Sequence, residues 1–126
     1  MSRISTKQRS SIAQAILDID VHWAKTFQAA GLSHLDYCDL FVHMWLRRKQ
    51  PLRKTDLYPL MPNVSPRTAV KYVQRAIDSG FILEFPDKCD RRARMVNMSD
   101  KVLADVERFL DYTKRRFRDA SMEAAG

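Results

Sequence analysis

Apolar residues recur at helical spacing near both ends of this chain. Between residues 7 and 31 they occupy every third or fourth position, which predicts an amphipathic helix that ends at Gly31. The residues predicted to be buried on this helix are Ile12, Ile16, Ile19, Trp23 and Phe27. From residue 99 to 120 the same spacing predicts a last helix, which Ser99 is suited to cap. Its predicted buried residues are Leu103, Val106, Leu110, Thr113 and Phe117.

A second helical pattern follows Gly31 and ends at the basic run Arg47-Arg48-Lys49. Ser33 followed by Asp36 is the pattern of a capping box, so we expect the helix to begin at this point. Its predicted buried residues are Leu35, Leu40, Phe41, Met44 and Trp45. After Pro51-Leu52 interrupts the pattern, Thr55 is positioned to cap a short helix at residues 56–61.

The dipeptide Ser65-Pro66 is the sharpest helix start in the chain, because it joins an N-cap residue to a proline at the first helical position. The predicted helix runs to Ser79, and Gly80 ends it. Its predicted core residues are Ala69, Val70, Val73, Ala76 and Ile77. Residues 81–85 and 93–98 are rich in strand-forming side chains and flank a polar turn, which predicts a β-hairpin with a charged tip.

The predicted elements therefore follow the order helix, helix, short helix, helix, hairpin, helix. This order favours a mainly α fold with a small β-hairpin wing, in a single domain over residues 1–126. Two helices followed directly by a hairpin are typical of a winged helix-turn-helix, in which the second helix enters the DNA major groove and the hairpin reaches a minor groove. We place this core at residues 33–98, between an N-terminal helix at 7–31 and a C-terminal helix at 99–120.

Positive charge is concentrated in the middle of the sequence. Residues 47–94 contain twelve Lys or Arg and five Asp or Glu, whereas each flank contains equal numbers of the two, so this segment accounts for the net charge of +7. Such clustering favours a docking face for a polyanion, because the neutralisation of phosphates releases counterions. Double-stranded DNA is therefore the expected partner.

The helix that begins after Ser65 has side chains suited to DNA. Arg67 and Lys71 are four residues apart and share one helix face. Arginine can bridge the two acceptors of guanine, while Thr68 can contact a thymine methyl group or a phosphate. Ser65 and the free amides at the helix start can hold a phosphate, and we expect Tyr72 to divide its contacts between the core and the DNA backbone. The predicted DNA-binding residues of this helix are Ser65, Arg67, Thr68, Lys71, Tyr72 and Arg75.

Basic side chains also surround the predicted hairpin tip. The predicted DNA-binding residues there are Lys88, Arg91, Arg92 and Arg94. Because Asp87 and Asp90 lie among them, we expect an aspartate to orient an arginine through a bidentate ion pair. Cys89 at the tip is expected to be an incidental exposed thiol rather than an oxidation sensor.

From about residue 32 to 103 the sequence resembles MarR-type transcription regulators. The resemblance rests on Ser65-Pro66-Arg67-Thr68, on the spacing from there to Gly80-Phe81-Ile82, and on Asp87-Lys88-Cys89-Asp90-Arg91-Arg92-Ala93. In that family an Asp-x-x-Asp-Arg-Arg stretch forms the wing tip and one of its arginines enters the minor groove. The resemblance implies this role for Arg91 or Arg92.

The two terminal helices lie outside the minimal winged-helix module. They carry the large aromatic residues Trp23, Phe27, Phe109 and Phe117. They can pack on each other within one chain or form a symmetric dimer, as the terminal helices of MarR-type regulators do. We favour a homodimer, since closed two-fold pairs are the commonest oligomers. Its two recognition helices would address half-sites about one helical turn apart.

Other function classes find little support in the sequence. It contains no nucleophile–base arrangement and no phosphate-binding glycine loop, and its histidines and its cysteines Cys38 and Cys89 lack metal-ligand spacing. We therefore expect no catalytic residue, cofactor or metal ion. No apolar run approaches the roughly 20 residues that span a membrane, and the N-terminus lacks the apolar core of a signal peptide. We expect a cytoplasmic, nucleoid-associated protein with no membrane partner; a small-molecule effector is not indicated but stays open.

The leading hypothesis is a dimeric, sequence-specific DNA-binding transcription regulator of MarR type that is not an enzyme. The alternative is a winged-helix module that binds an acidic protein partner, because a winged helix alone does not decide between the two. Replacing Arg67 and Lys71 with alanine distinguishes them, since only DNA binding should then be lost.

Overall fold

The computed structural model describes residues 4–28 and 31–125. The helices are α1 (Thr6–Phe27), α2 (Leu35–Leu46), a 3₁₀ helix (Lys54–Leu60), α3 (Pro66–Asp78) and α4 (Asp100–Ala125). The strands are β1 (Leu52–Arg53), β2 (Ile82–Pro86) and β3 (Arg94–Met98). The predicted mainly α fold with a β-hairpin wing is confirmed. In the described part of the chain, every helix is too short or too polar to cross a membrane.

The sheet is antiparallel and has three strands in the order β1-β3-β2. In the hairpin, Ile82 pairs with Met98 and Pro86 with Arg94. The edge strand β1 was not predicted from the sequence; it pairs Leu52 with Val96 on the other side of β3. Two residues carry no periodicity, and only their pairing with a distant strand makes them a strand.

One core joins the winged helix to both terminal helices. Trp23 packs against Phe27 with ring centroids 4.2 Å apart, and against Phe109 of α4 at 4.9 Å. Phe27 also lies 5.6 Å from Phe41 of α2. The same buried cluster includes residues of the other elements, namely Leu57, Ala69, Val73, Ala76, Ile82, Val96, Val102 and Val106. Deep apolar burial of this kind is the main driving force for the fold.

Beyond this core, α1 and α4 pack on each other as an antiparallel pair, which we call the arm (residues 6–22 of α1 and 112–125 of α4). The imidazole of His22 stacks on the ring of Tyr112 at 4.1 Å. Asp18 accepts a hydrogen bond from the Nε of Arg116 at 2.8 Å, which is also an ion pair. The terminal helices thus pack on each other within one chain, which is one of the two arrangements expected from the sequence.

The strongest start and stop signals in the sequence are confirmed. Ser65 is the N-cap of α3, with Pro66 at the first position of the helix. Gly31 and Gly80 follow α1 and α3 with φ angles of +71° and +77°, which side chains with a Cβ rarely adopt. At the start of α4, the Ser99 Oγ accepts a hydrogen bond from the Val102 amide at 3.2 Å.

Two predicted caps are wrong. The N-cap of α2 is His34, and no side chain caps the helix, so Ser33 does not have the predicted role. The 3₁₀ helix begins at Lys54 because Asp56 accepts a hydrogen bond from the backbone amide of Arg53 at 2.8 Å, which leaves Thr55 inside the helix. The helix α1 ends at Phe27, and residues 29 and 30 of its predicted range 7–31 lie outside the described residues.

Several residues predicted to be buried are exposed. Leu35 is 70% exposed because it precedes the buried Met44 by nine residues, or about two and a half turns, and so lies on the opposite side of α2. Val70 of α3 is 44% exposed, while its neighbours Ala69 and Val73 are buried. On the arm, Ile16 is 48% and Phe117 is 40% exposed, because no element of the winged helix reaches that far along α1 and α4.

Candidate nucleic-acid interface

The first turn of α3 is capped by the side chain of Ser65. The Ser65 Oγ accepts a hydrogen bond from the Thr68 amide at 3.2 Å, and it donates to the Thr68 Oγ1 at 3.0 Å. Pro66 has no amide hydrogen, and Ser65 itself is exposed. Helix N-termini carry partial positive charge, so this turn is suited to an anionic oxygen such as a phosphate.

The outer face of α3 consists of polar and charged residues. Arg67, Lys71 and Arg75 are exposed at successive turns, while Ala69, Val73 and Ala76 are buried on the opposite side. In the described part of the chain, none of these three basic residues forms an ion pair with an acidic side chain. Their charges are therefore available to a ligand.

Two tyrosines fix α3 against α2. The Tyr37 hydroxyl donates a hydrogen bond to the Tyr72 carbonyl at 3.2 Å, and the two rings lie 5.1 Å apart. Burial raises the pKa of Tyr37 to about 12, so its hydroxyl remains a donor at every physiological pH. Tyr72 is half-buried and packs against the core, which is consistent with one of the two contacts predicted for it.

The hairpin tip is a tight turn built by its backbone. The Asp87 amide donates to the Ala93 carbonyl at 3.1 Å, and the Ala93 amide donates to the Asp90 carbonyl at 3.0 Å. Lys88, Arg91 and Arg92 are exposed around this turn, and so is the thiol of Cys89.

The predicted ion pair between an aspartate and an arginine at the tip is wrong. The Asp90 carboxylate instead accepts a hydrogen bond from the backbone amide of Arg92 at 3.1 Å. Aspartate commonly bonds an amide two residues further on, and in a tight turn that amide is closer than a long side chain. The aspartate therefore shapes the turn, and the side chains of Arg91 and Arg92 form no ion pair within the described residues.

A polar network links α3 to the hairpin through Glu84 of β2. The Glu84 carboxylate binds the Arg94 Nε at 2.8 Å and the Lys54 Nζ at 3.1 Å. Lys54 also donates to the Gln74 Oε1 of α3 at 2.9 Å. The hydrogen bond from Arg94 and then that from Lys54 hold the pKa of Glu84 below its ordinary value. The helix and the wing are thus fixed relative to each other.

This network places the predicted residue Arg94 differently from the arginines at the tip. The guanidinium of Arg94 forms an ion pair with Glu84, whereas the guanidinium groups of Arg91 and Arg92 form none within the described residues. Beside it, a cleft of about 260 Å³ is lined by Arg53, Lys54, Thr55, Tyr58, Arg92, Ala93 and Arg94. Sequence reasoning missed Arg53 and Lys54, although both lie in the basic segment directly before Thr55.

The side chain of Cys38 packs against the hydrophobic core. Burial raises the pKa of the Cys38 thiol to about 11, which makes it a poor nucleophile. Within the described ranges, no group of three His, Cys, Asp or Glu side chains could hold a metal ion.

Solved structures of transcription regulators share this fold. A mutant of MepR from a multidrug-resistant clinical isolate of S. aureus aligns over 91% of this chain and 79% of its own, with a TM-score of 0.62 and 12% identity. A transcriptional regulator from Thermotoga maritima aligns over 86% and 73%, with a TM-score of 0.58 and 19% identity. A mutant of MarR from E. coli, complexed with operator DNA, aligns over 85% and 74%, with a TM-score of 0.56 and 11% identity. No family model and no curated protein sequence matches the chain. The chain therefore has the winged helix-turn-helix fold of the MarR-type regulators.

Proposed function

We propose that the protein is a sequence-specific, double-stranded DNA-binding transcription regulator that acts like MarR. The observation that carries this proposal is the network between Lys54, Glu84 and Arg94. It fixes the exposed basic face of α3 beside the arginine-bearing hairpin, so one duplex can meet both. The MarR structure with operator DNA, which has the same fold, supports this interpretation.

The residues have different tasks in this proposal. Arg67 and Lys71 contact base edges and phosphates in the major groove, because they are exposed and unpaired on the outer face of α3. The capped turn at Ser65 and Thr68 holds a phosphate. Tyr72 and Arg75 contact the DNA backbone further along the helix. The contacts of the wing come from Lys88, Arg91, Arg92 and Arg94, with one of the two tip arginines in the minor groove.

The protein binds as a homodimer in this proposal, and the arm provides the contact. Phe117 follows the buried Val106 by eleven residues, or about three helical turns, so both lie on the side of α4 that faces the core. Ile16 precedes the buried Trp23 by seven residues, or about two turns, and shares the corresponding side of α1. These two exposed residues continue the core-facing surface past the winged helix, and a second copy would cover them.

Selection of bound duplexes from a random pool tests the proposal. We expect enrichment of a site with two-fold symmetric half-sites about one helical turn apart, with an affinity that falls steeply as salt increases. If a random duplex competes as well as the selected one, the protein is not a sequence-specific regulator. If the protein instead binds an acidic polypeptide and no duplex, it is an interaction module.

A further inference from the structure

The C-terminal flank, residues 95–126, has no net charge, but it contains a second cluster of positive charge. Residues 112–118 contain four basic residues and no acidic one, whereas most of the acidic residues of α4 precede them. One of the four, Arg116, is turned toward α1, where it pairs with Asp18. The others, Lys114, Arg115 and Arg118, are exposed.

These three residues line an open cleft of about 580 Å³ together with His22, Arg108 and Asp111. The cleft thus has four basic side chains and one acidic side chain, and it has no apolar residue in its lining. Arg108 pairs with Asp105 at 3.0 Å, and Arg118 approaches Asp119 at 3.9 Å. In the described part of the chain, Lys114 and Arg115 form no ion pair. We call this set, with the neighbouring Lys25, the second basic surface.

The pKa of His22 is sensitive to the positive charges of the second basic surface. Desolvation lowers its pKa most, and the positive charges of Arg115 and Lys25 lower it further. Lys25 is on α1 and Arg115 is on α4, so cations from both helices of the pair act on one point. An anion at this point would be attracted by charges that the protein itself does not neutralise.

The second basic surface is separate from the interface on α3 and the hairpin. Arg115 follows Val106 by nine residues, or about two and a half turns, so it lies on the side of α4 opposite the core. Phe117, which the proposed dimer covers, is on the core-facing side. The surface is therefore accessible both when α3 holds DNA and when the arm is paired with a second copy.

We propose that the second basic surface binds the phosphate backbone of a second DNA segment, so that one protein dimer bridges two duplexes. This inference rests on the proposed function, which supplies the first duplex. Several exposed cations close together on one helix, of which Lys114 and Arg115 form no ion pair within the described residues, suit a polyanion such as a phosphate backbone, and they need no base contacts to bind it. An acidic protein is a less suitable partner for this surface. Protein–protein interfaces are typically centred on aromatic or aliphatic side chains, and the lining of this cleft contains no aliphatic or apolar aromatic side chain.

A bridging assay tests the inference. A selected duplex is immobilised and saturated with protein, the excess is removed, and the capture of a labelled random duplex is measured against salt. We expect the wild-type protein to capture the second duplex. The triple variant Lys114→Gln, Arg115→Gln and Arg118→Gln should still bind the first duplex within about twofold, but the salt slope of its second capture should fall by about three.

The matched control removes the same charge from exposed residues elsewhere, with Arg9→Gln, Lys49→Gln and Lys101→Gln. This control should capture the second duplex like the wild-type protein. Capture by the triple variant equal to that of the wild-type protein would overturn the inference, and so would wild-type protein that holds the first duplex and captures no second one. Failure to bind the first duplex would instead contradict the proposed function.

A second measurement does not depend on the triple variant. The imidazole resonances of His22 are followed by NMR in the variant Arg67→Ala, Lys71→Ala while a random duplex is added. We expect them to shift, because phosphates at the second basic surface lie next to this ring. Resonances that do not move at duplex concentrations giving full second capture would contradict the inference.

Discussion

Removal of the charge of Glu84 should weaken both the fold and the discrimination between DNA sequences. Glu84→Gln keeps the shape of the side chain and removes the anion that binds Lys54 and Arg94. The side chains of Glu84 and Lys54 are 18% and 22% exposed, and that of Arg94 is 45% exposed, so solvent screens the second pair more strongly. At about 0.5 kcal/mol for each screened pair, the loss is about 1 kcal/mol of unfolding free energy. For a domain of this size, that lowers the melting temperature by about 3 to 4 °C.

The stabilising effect of Glu84 should depend on pH. The folded-state pKa of Glu84 lies below its ordinary value, so its contribution to stability is complete above the ordinary pKa and disappears as pH falls through the lowered one. Thermal unfolding followed by circular dichroism should therefore show a difference between wild type and Glu84→Gln at pH 7 that vanishes at strongly acidic pH. A double-mutant cycle with Arg94→Gln should give a coupling of about 0.5 kcal/mol. Zero coupling at pH 7, or a difference that does not change with pH, would refute this reasoning.

Glu84→Gln should also change DNA binding. Without the anion, Arg94 and Lys54 lose their common partner, and the hairpin is less firmly fixed to α3. Removal of a negative charge near the DNA should raise the affinity for random duplex, while the less ordered wing lowers the affinity for the selected site. The measured ratio of the two affinities should fall; an unchanged ratio would mean that the network does not organise the interface.

Three further substitutions test separate contacts. Tyr37→Phe removes the donor to the Tyr72 carbonyl and should cost about 1 kcal/mol in urea denaturation, whereas unchanged stability would show that the hydrogen bond contributes nothing. Ser65→Ala removes the cap that binds the Thr68 amide and should also cost about 1 kcal/mol, with Ser65→Asp as the control that retains a cap. Phe117→Asp places a charge on the apolar surface of the arm and should give a monomer in sedimentation velocity; a dimer of unchanged affinity would remove the arm from the proposed interface.

The parts of the fold that local chemistry dictates were predictable from the sequence. Ser65-Pro66 defines the start of α3 because cap and proline act within one turn. Gly80 ends the same helix because the chain needs a positive φ there. The hairpin followed from two strand-forming runs around a polar turn. Each of these signals depends only on residues that are neighbours in the sequence, so the sequence alone is enough to predict the corresponding structure.

The features that the sequence did not predict depend on residues distant in the chain. The strand β1 exists because Leu52 pairs with Val96, and nothing local marks two residues as a strand. Ile16 and Phe117 lie on apolar stripes with correct helical spacing, yet they are exposed, because the stripe of each terminal helix extends beyond the core that covers it. Periodicity indicates which side of a helix is apolar but not how far its partner extends.

The candidate site shows the same division. The exposed face of α3 was predictable from helical spacing, since the buried residues Ala69, Val73 and Ala76 determine where Arg67 and Lys71 point. The partner of Arg94 was not predictable, because Glu84 approaches it only when the two strands pair.

The affinity of the variant Arg67→Ala, Lys71→Ala for a selected duplex tests the central claim most directly. Its matched control is Arg9→Gln, Lys101→Gln, which also removes two exposed positive charges. At about 1 to 3 kcal/mol for a base contact, the variant should bind the selected site roughly 30-fold or more weakly and should no longer distinguish it from random duplex. The control should differ little from wild type. A variant that binds and discriminates as well as the control would contradict the proposal that α3 reads DNA.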